Sequence, residues 1–429
     1  MFSYSRRNVT TLRRLAVFCL AISAVSLPAD ELTLPKAEQL ALSNDYGVQA
    51  LQAQSSAFAE QAVAADTWRD PVLSIGTMNL PGNNPDPFNQ GMFELKVQQM
   101  LPRGSSNKLQ RRKVELQGES REVAASNRRL QVLQSVRLAW LDIWYWQQGI
   151  NQLKQDRYLF ESLVDVTESL YSQGKKKQQD LFRAEVELTR LDDRIVSFVA
   201  SKEQSEAQLL RWLGNTPAGV IPRQLPDFAL MPEDSKARLQ LHPLVIAAEL
   251  DVQQAGQDVA LANESYKPQF GVELKYGREQ MNTGASSRNR FSAMLMMDIP
   301  LFTGNRQDRQ LTASHYRREA GIAQRLDTLQ QLQGEFDAEQ SRYEGLLRRV
   351  ELYRKELLPK VRNQADAALR SYQSDASDFN DVIQAYKAQL TSSLEFLRLQ
   401  ADSRQSAARL QYFAPAPQDL QQTHRGEAL

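Results

Sequence analysis

The longest regular pattern in this chain is a row of apolar residues spaced four and three positions apart. One row runs through Ala139, Ile143, Trp146, Ile150 and Leu153. A second runs through Leu332, Phe336, Tyr343, Leu346, Val350, Tyr353 and Leu357, with Glu339 as a polar interruption. This spacing is typical of coiled-coil helices. It predicts two helices of equal length, Gly104–Tyr171 and Gly304–Ser371, each roughly 100 Å long, which need partners along their whole length.

Shorter segments alternate apolar and polar residues with a period of two. The alternation is clearest in Phe93–Gln98 and Gln269–Tyr276, and four strands are predicted in all. Such strands place apolar side chains on one face of a sheet and charged ones on the other. This fits a water-filled transmembrane barrel, and it also fits a soluble sheet with one wet face. The polar loops 80–87 and 278–290 join the paired strands.

The chain repeats its plan after roughly 200 residues, which indicates an internal duplication. Pro71–Gly76 aligns with the segment that begins at Pro268, and Tyr171–Asp180 aligns with Tyr372–Asp381. Each copy is predicted to contain, in chain order, a helix, two strands, a very long helix and a further helix. The shorter helices are predicted at Pro35–Trp68, Lys177–Leu213, Pro243–Tyr266 and Ala376–Phe413.

Five segments follow from this pattern. The predicted segments are a signal peptide (1–29), a first repeat (30–214), a proline-containing linker (215–241), a second repeat (242–413) and a C-terminal tail (414–429). Trp140, Trp144, Tyr145 and Trp146 lie about halfway along the first long helix. They are predicted to pack against the linker at mid-height rather than to form an aromatic membrane belt.

Composition removes several classes of function. The chain has 52 Lys and Arg residues and 51 Asp and Glu residues. Its basic and acidic charges therefore nearly cancel, which does not favour binding to nucleic acid. One cysteine and three histidines are too few for a structural zinc site, and no cofactor is expected. No nucleophile–base pair or phosphate loop is recognisable, so the chain is not expected to be an enzyme.

Several residues together resemble the TolC family of outer-membrane efflux proteins, over about residues 32–413. They are the pattern Tyr171-x-x-Gly174-x-x-x-x-x-Asp180-Leu181-x-x-Ala184, its counterpart at Tyr372–Ala385, Leu213-Gly214, His242-Pro243, Pro268, and Ile299-Pro300-Leu301-Phe302 with Gly304. The resemblance implies a mainly α fold with a small β part. Three chains would form a periplasmic α-helical barrel topped by a 12-stranded transmembrane β-barrel, with four strands per chain. Four strands cannot close a barrel alone, which agrees with oligomerisation.

The resemblance also implies a narrow periplasmic entrance lined by acidic residues of the second repeat. Asp381 stands at the matching position, whereas the next acidic position of the family is Gln384 here, and Asp378 lies in the adjacent turn. These three residues are the candidate gate. The alternative role of Asp381 is to cap the following helix.

The turns at the far ends of the long helices are the candidate contacts for an adaptor protein. They contain Gly174, Lys175, Lys176 and Lys177 in the first repeat, and Ser374 and Asp375 in the second. A solvated turn without a partner is the simpler alternative.

The expected function is passive conduction of drugs or metal ions from an inner-membrane pump and its periplasmic adaptor, through a homotrimer in the outer membrane, to the exterior. The alternatives are the outer-membrane channel of a type I protein secretion system and a periplasmic coiled-coil scaffold without a pore. Met294, Met296 and Met297 on the last strand suggest either ordinary filling of a barrel or a thioether path for copper or silver.

Overall fold

The computed structural model describes residues 31–80, 82, 91–214, 219, 221–228, 235–280 and 288–415. The predicted signal peptide, most of the predicted tail, most of the 80–87 loop and the centre of the 278–290 loop lie outside these residues. The signal peptide and the tail therefore stay predictions.

Helices dominate the described chain. They are α1 (Leu34–Asn44), α2 (Tyr46–Ala65), α3 (Ser106–Ser172), α4 (Gln178–Leu213), α5 (Ser235–Arg238), α6 (Pro243–Glu264), α7 (Gln307–Leu352), α8 (Leu358–Gln373) and α9 (Phe379–Phe413). None of the helices within the described ranges combines the length and the apolar character needed to cross a membrane. The mainly α fold with a small β part is confirmed.

The two long helices differ in continuity. α3 is one helix of 67 residues, about 100 Å long. Its counterpart is interrupted by a π-helical turn at Tyr353–Leu357, between α7 and α8. Pro359 follows at the start of α8. A proline inside a helix has no N–H to donate, and its ring crowds the carbonyl four residues earlier, so a wider turn relieves the conflict. The backbone nevertheless stays helical from Gln307 to Gln373, so the predicted second long helix is present and contains one wider turn.

The first predicted helix, Pro35–Trp68, is by contrast two separate helices. Asp45 separates α1 from α2 and caps α2, because its Oδ1 accepts a hydrogen bond from the Val48 N–H at 2.8 Å. Arg128 of α3 reaches the other carboxylate oxygen at 2.9 Å. The break thus fixes the entry of α2 onto the long helix.

The helices pack through the apolar rows read from the sequence. Trp140, Leu141 and Ile143 of α3 are almost fully buried in a core that α1, α4 and α9 share. Leu332 and Phe336 of α7 pack in a second cluster with Leu410 and Phe413. Glu339, the polar interruption, has a buried partner, because Ser406 Oγ donates to its Oε1 at 2.5 Å.

The linker segment 221–228 lies against the middle of this bundle. Trp144 Nε1 donates to the Arg223 carbonyl at 2.8 Å, and Trp140 Nε1 donates to the Leu32 carbonyl at 2.8 Å. Arg404 of α9 pairs with Asp227 at 2.9 Å. The predicted contact with the linker is thus present at Trp144, whereas Trp140 bonds to the segment before α1 and Trp146 packs on Phe198 of α4 at 4.9 Å.

The strands form one antiparallel sheet in the order β1 (Val72–Met78), β2 (Gly91–Met100), β3 (Gln269–Gln280) and β4 (Arg288–Asp298). β2 of the first repeat pairs with β3 of the second, with Leu95 opposite Tyr276. The two repeats are thus joined at one end by their strands. Because α3 begins six residues after β2 ends, its other end lies about 100 Å from the sheet.

Candidate functional site: the helical tips and the strand sheet

The ends of the molecule far from the sheet are two turns with the same backbone geometry. Tip 1 (residues 173–177) joins α3 to α4, and tip 2 (residues 374–378) joins α8 to α9. In tip 1 the Lys175 N–H donates to the Leu170 carbonyl at 3.0 Å, and in tip 2 the Ala376 N–H donates to the Ser371 carbonyl at 2.8 Å. This bond ends a helix through a left-handed residue. The turns are equivalent in the two repeats.

The left-handed position is occupied by different residues. In tip 1 it is Gly174, with φ of 71°, and in tip 2 it is Asp375, with φ of 60°. Glycine adopts this conformation without cost, whereas aspartate is among the few other residues that tolerate it. An acidic side chain is thereby placed at the extremity of tip 2.

The two tips are joined by an ion pair. Lys176 Nζ lies 2.5 Å from Asp375 Oδ1 and 4.6 Å from the centre of the Tyr372 ring. The hydrogen bond to Asp375 raises the pKa of Lys176, and the same bond lowers the pKa of Asp375. Tyr372 is 1% exposed and meets Phe379 edge to face at 5.6 Å. A buried aromatic pair therefore supports a charged contact at the surface.

The other predicted contact residues are exposed. Gly174, Lys175, Lys177 and Ser374 all lie open at the tips, whereas the Lys176 side chain is mostly covered by Asp375 and Tyr372. Tip 1 is basic and tip 2 is acidic. An adaptor role for these residues stays a prediction.

The candidate gate residues share one face of α9. Asp378, Asp381 and Gln384 are spaced three apart and are all exposed, while Phe379, Val382 and Ile383 between them are buried. The cap position belongs to Asp378, whose side chain makes no cap hydrogen bond, and Asp381 lies three residues further along. Asp381 is therefore placed in the first helical turn, where the helix dipole favours a carboxylate, and its side chain faces out.

A shallow groove runs beside this face between α4 and α9. Phe182 and Val186 of α4 line it together with Gln384 and Lys387 of α9. Lys387 bridges to Glu187 at 3.3 Å. Phe182 is 54% exposed, so the groove offers apolar surface next to the predicted gate.

At the opposite end of the molecule the sheet has two unlike faces. One face is mostly apolar. The strand register places on it the side chains of Leu73, Ile75, Phe93, Leu95, Val97, Phe270, Val272, Leu274, Phe291 and Leu295. Most of these side chains are open in the single chain; Leu274 is 57% exposed and Phe291 is 82% exposed. Gln99 and Arg278 lie near the two ends of this apolar face.

The other face is charged. Lys96 and Lys275 stand opposite each other on β2 and β3, and each reaches diagonally to a glutamate of the other strand. Lys96 lies 3.5 Å from Glu273, and Lys275 lies 2.5 Å from Glu94. Arg290 and Glu279 add a third cross-strand pair at 2.8 Å. Paired charges of this kind suit a hydrated surface.

The methionines divide between the faces. Met294 and Met296 lie on the charged face, together with Met78, Met92 and Met100, whereas Met297 lies on the apolar face. A single path through Met294, Met296 and Met297 is therefore not formed. Within the described ranges, no group of three or more His, Cys, Asp or Glu side chains is placed to hold a metal ion.

Comparison with known proteins agrees with this architecture. The profile of the family described as outer membrane efflux protein matches residues 235–413. No curated protein matches the chain in sequence.

Several solved structures have the same fold. The outer-membrane channel OprN has a TM-score of 0.77 at 17% identity, over 89% of each chain. VceC, an outer membrane protein of Vibrio cholerae, has a TM-score of 0.72 at 17% identity, over 89% of this chain and 95% of its own. The CmeC outer membrane channel of Campylobacter jejuni has a TM-score of 0.71 at 13% identity, over 95% and 93%. At these identities the likeness is one of fold.

Proposed function

Because the chain belongs, through the domain at residues 235–413, to the outer membrane efflux protein family, we propose that it is the outer-membrane channel of a tripartite efflux system. It conducts drugs or metal ions passively, and a pump in the inner membrane supplies the energy. The observation that carries this proposal is the two-faced sheet on top of helices about 100 Å long. An apolar outer face and a charged inner face are what a water-filled barrel in lipid requires.

The two edges of the sheet also require strands from other copies of the chain. Its order is β1-β2-β3-β4, so β1 and β4 each have one edge without a strand neighbour among the described residues. In hydrocarbon each unpaired backbone group costs several kcal/mol, so the edges must be joined. Three copies bring twelve strands together, which closes the barrel with β1 of one copy beside β4 of the next. The homotrimer is thus part of the proposal.

The tips complete the conduit at its periplasmic end. Three copies of Asp378, Asp381 and Gln384 around one axis would form a polar constriction with a strong negative potential. Cations would pass it more readily than anions. The exposed residues of tips 1 and 2 are then free to contact an adaptor protein.

The test combines assembly with conduction. The protein is recovered from the outer-membrane fraction in detergent, its mass is measured, and it is reconstituted into a planar lipid bilayer. We expect a mass of about three chains and stepwise ion conductance. A monomer recovered from the periplasm that gives no conductance overturns the channel and favours a coiled-coil scaffold.

A further inference from the structure

Two glycines of β3 lie on the charged face of the sheet, and methionines of β2 cover both. A Cβ atom placed on Gly271 would lie 2.6 Å from Met100 Sδ and 3.2 Å from Met296 Cε. A Cβ atom on Gly277 would lie 2.9 Å from Met92 Sδ. The missing side chains therefore leave space that the thioethers occupy.

At Gly271 the thioethers converge from both sides. Met100 and Met296 are its direct partners on β2 and β4, so the two side chains lean over the same glycine from the flanking strands. Gln98 Nε2 lies 3.7 Å from Met100 Sδ and 3.9 Å from Met296 Sδ. One amide group thus contacts both sulfur atoms, so the two thioethers flank the same side chain.

We propose that Met100 and Met296 form a binding site for a soft monovalent cation, Cu(I) or Ag(I). Thioether sulfur selects such ions, whereas Mg²⁺ and Ca²⁺ prefer oxygen. The ion takes the place of the Gln98 amide group between the two sulfur atoms. This inference rests on the proposed function, since it places the site on the wall of the conduit and names soft metal ions as its cargo.

The charged groups nearest the two thioether pairs differ. Glu273 follows Gly271 on the same face of β3, and its carboxylate is paired with Lys96 at 3.5 Å, so it balances the nearest cation beside Met100 and Met296. The other thioether pair, Met78 and Met92, has the Lys275 ammonium group 4.0 Å from Met78 Sδ, which repels a cation. Met297 faces away from both pairs. The competing explanation is that Met100 and Met296 only fill the space above glycine, as flexible methionines often do.

The experiment titrates the detergent-solubilised protein, labelled with ¹³C at the methionine methyl groups, with silver nitrate in chloride-free buffer. Bound silver is counted by mass spectrometry after gel filtration, and methyl shifts report which sulfur atoms bind. We expect about one silver ion per chain, with shifts at Met100 and Met296 of the unaltered protein. The variants Met100→Leu and Met296→Leu lower the apparent affinity about tenfold or more.

Met297→Leu and Met92→Leu are matched controls from the same sheet, and both retain silver binding. Silver binding that persists in the double variant Met100→Leu/Met296→Leu overturns the site, as does silver binding that shifts other methionines instead. Conductance in a planar bilayer separates this inference from the proposed function. A conducting protein that does not bind silver overturns the site alone, whereas a protein that binds silver but does not conduct overturns the channel.

Discussion

Lys176 and Asp375 stand 199 positions apart in the chain, yet their side chains meet at 2.5 Å and join tip 1 to tip 2. Asp375 is 79% exposed in its side chain, so the pair is surrounded by solvent on one side. Such a pair is weak by itself. Under the proposed function, its position between the ends of the two hairpins makes it a contact whose loss should change the periplasmic aperture more than the stability.

The variant Asp375→Asn tests this role. Asparagine keeps the size of the side chain and tolerates the left-handed backbone at φ of 60°, but removes the charge. We expect the open probability in a planar bilayer to rise by less than about fivefold, with the folded state unchanged.

Glu168→Gln is the matched control, because Glu168 is an exposed acid in the last turns of α3 and is not a candidate gate residue. Equal effects of the two substitutions would show that general charge, and not the bond to Lys176, sets the opening. Since that bond lowers the pKa of Asp375, the contact is present above the ordinary carboxyl pKa and is lost as pH falls through the lowered value.

The candidate gate leads to a second prediction. Asp381→Ala removes one negative charge per chain from the exposed face of α9, so the preference for cations over anions should weaken. Reversal potentials in a salt gradient measure this preference. Asp180→Ala is the control, because Asp180 holds the same place in the first turn of α4. Unchanged conductance and selectivity in Asp381→Ala would leave Asp381 with a structural role only.

Much of this architecture is readable from the sequence because its signals are local. The apolar rows around Ile143 and Phe336 and the alternation in Phe93–Gln98 determine helix and strand by their spacing alone. The Lys176–Asp375 contact carries no such signal, since it depends on where two distant hairpins end relative to each other. The same holds for Met100 and Met296, which only the strand register brings to one glycine.

The missed helix break and the missed π-helical turn have a different cause. Asp45 and Pro359 are recognisable as a capping residue and a helix breaker, but each lies within a continuous helical pattern. Apolar periodicity favours one helix through both positions. The structure shows that the capping bond at Asp45 breaks the first helix, whereas a wider turn accommodates Pro359 within a helix that continues.

His242 should make the stability of the folded chain depend on pH. It is fully buried at the start of α6, where its Nδ1 accepts the Leu244 N–H at 3.2 Å, and burial lowers its pKa to about 4. Its ordinary pKa is 6.5, so the unfolded chain binds a proton between these values that the folded chain does not. Stability is therefore complete above pH 6.5 and falls as pH drops towards 4, by about 3 kcal/mol per chain.

Urea unfolding of the solubilised protein across this pH range measures the loss. His242→Asn keeps a capping acceptor but cannot titrate, so the slope of stability against pH should flatten. His315→Asn, at an exposed position of α7, should leave the slope as it is. An undiminished slope in His242→Asn would assign the pH dependence to other groups.

The two faces of the sheet predict opposite outcomes for neighbouring substitutions. Leu274→Glu places a carboxylate on the apolar face, where lipid would surround it, whereas Lys275→Glu changes a residue of the charged face. A charge facing hydrocarbon costs on the order of 2 kcal/mol per chain, so the first variant should largely fail to reach the outer-membrane fraction. The second should insert normally and shift ion selectivity towards cations. Equal insertion of both variants would mean that the apolar face does not meet lipid.

The exposed lysines of tip 1 carry the last prediction. Lys175 and Lys177 are open to solvent, whereas Lys176 is bound to Asp375, so a double variant Lys175→Glu/Lys177→Glu reverses charge at the tip without breaking the ion pair. We expect weaker capture by the cognate adaptor protein in a pull-down, because opposite surface charges speed association and like charges oppose it. The trimer mass should not change. Lys154→Glu is the control, an exposed lysine of α3 that lies about 27 Å from the end of the helix. Adaptor capture that survives the double variant would place the contact on other parts of the tips, such as the groove beside Phe182, and would leave Lys175 and Lys177 as solvated turn residues.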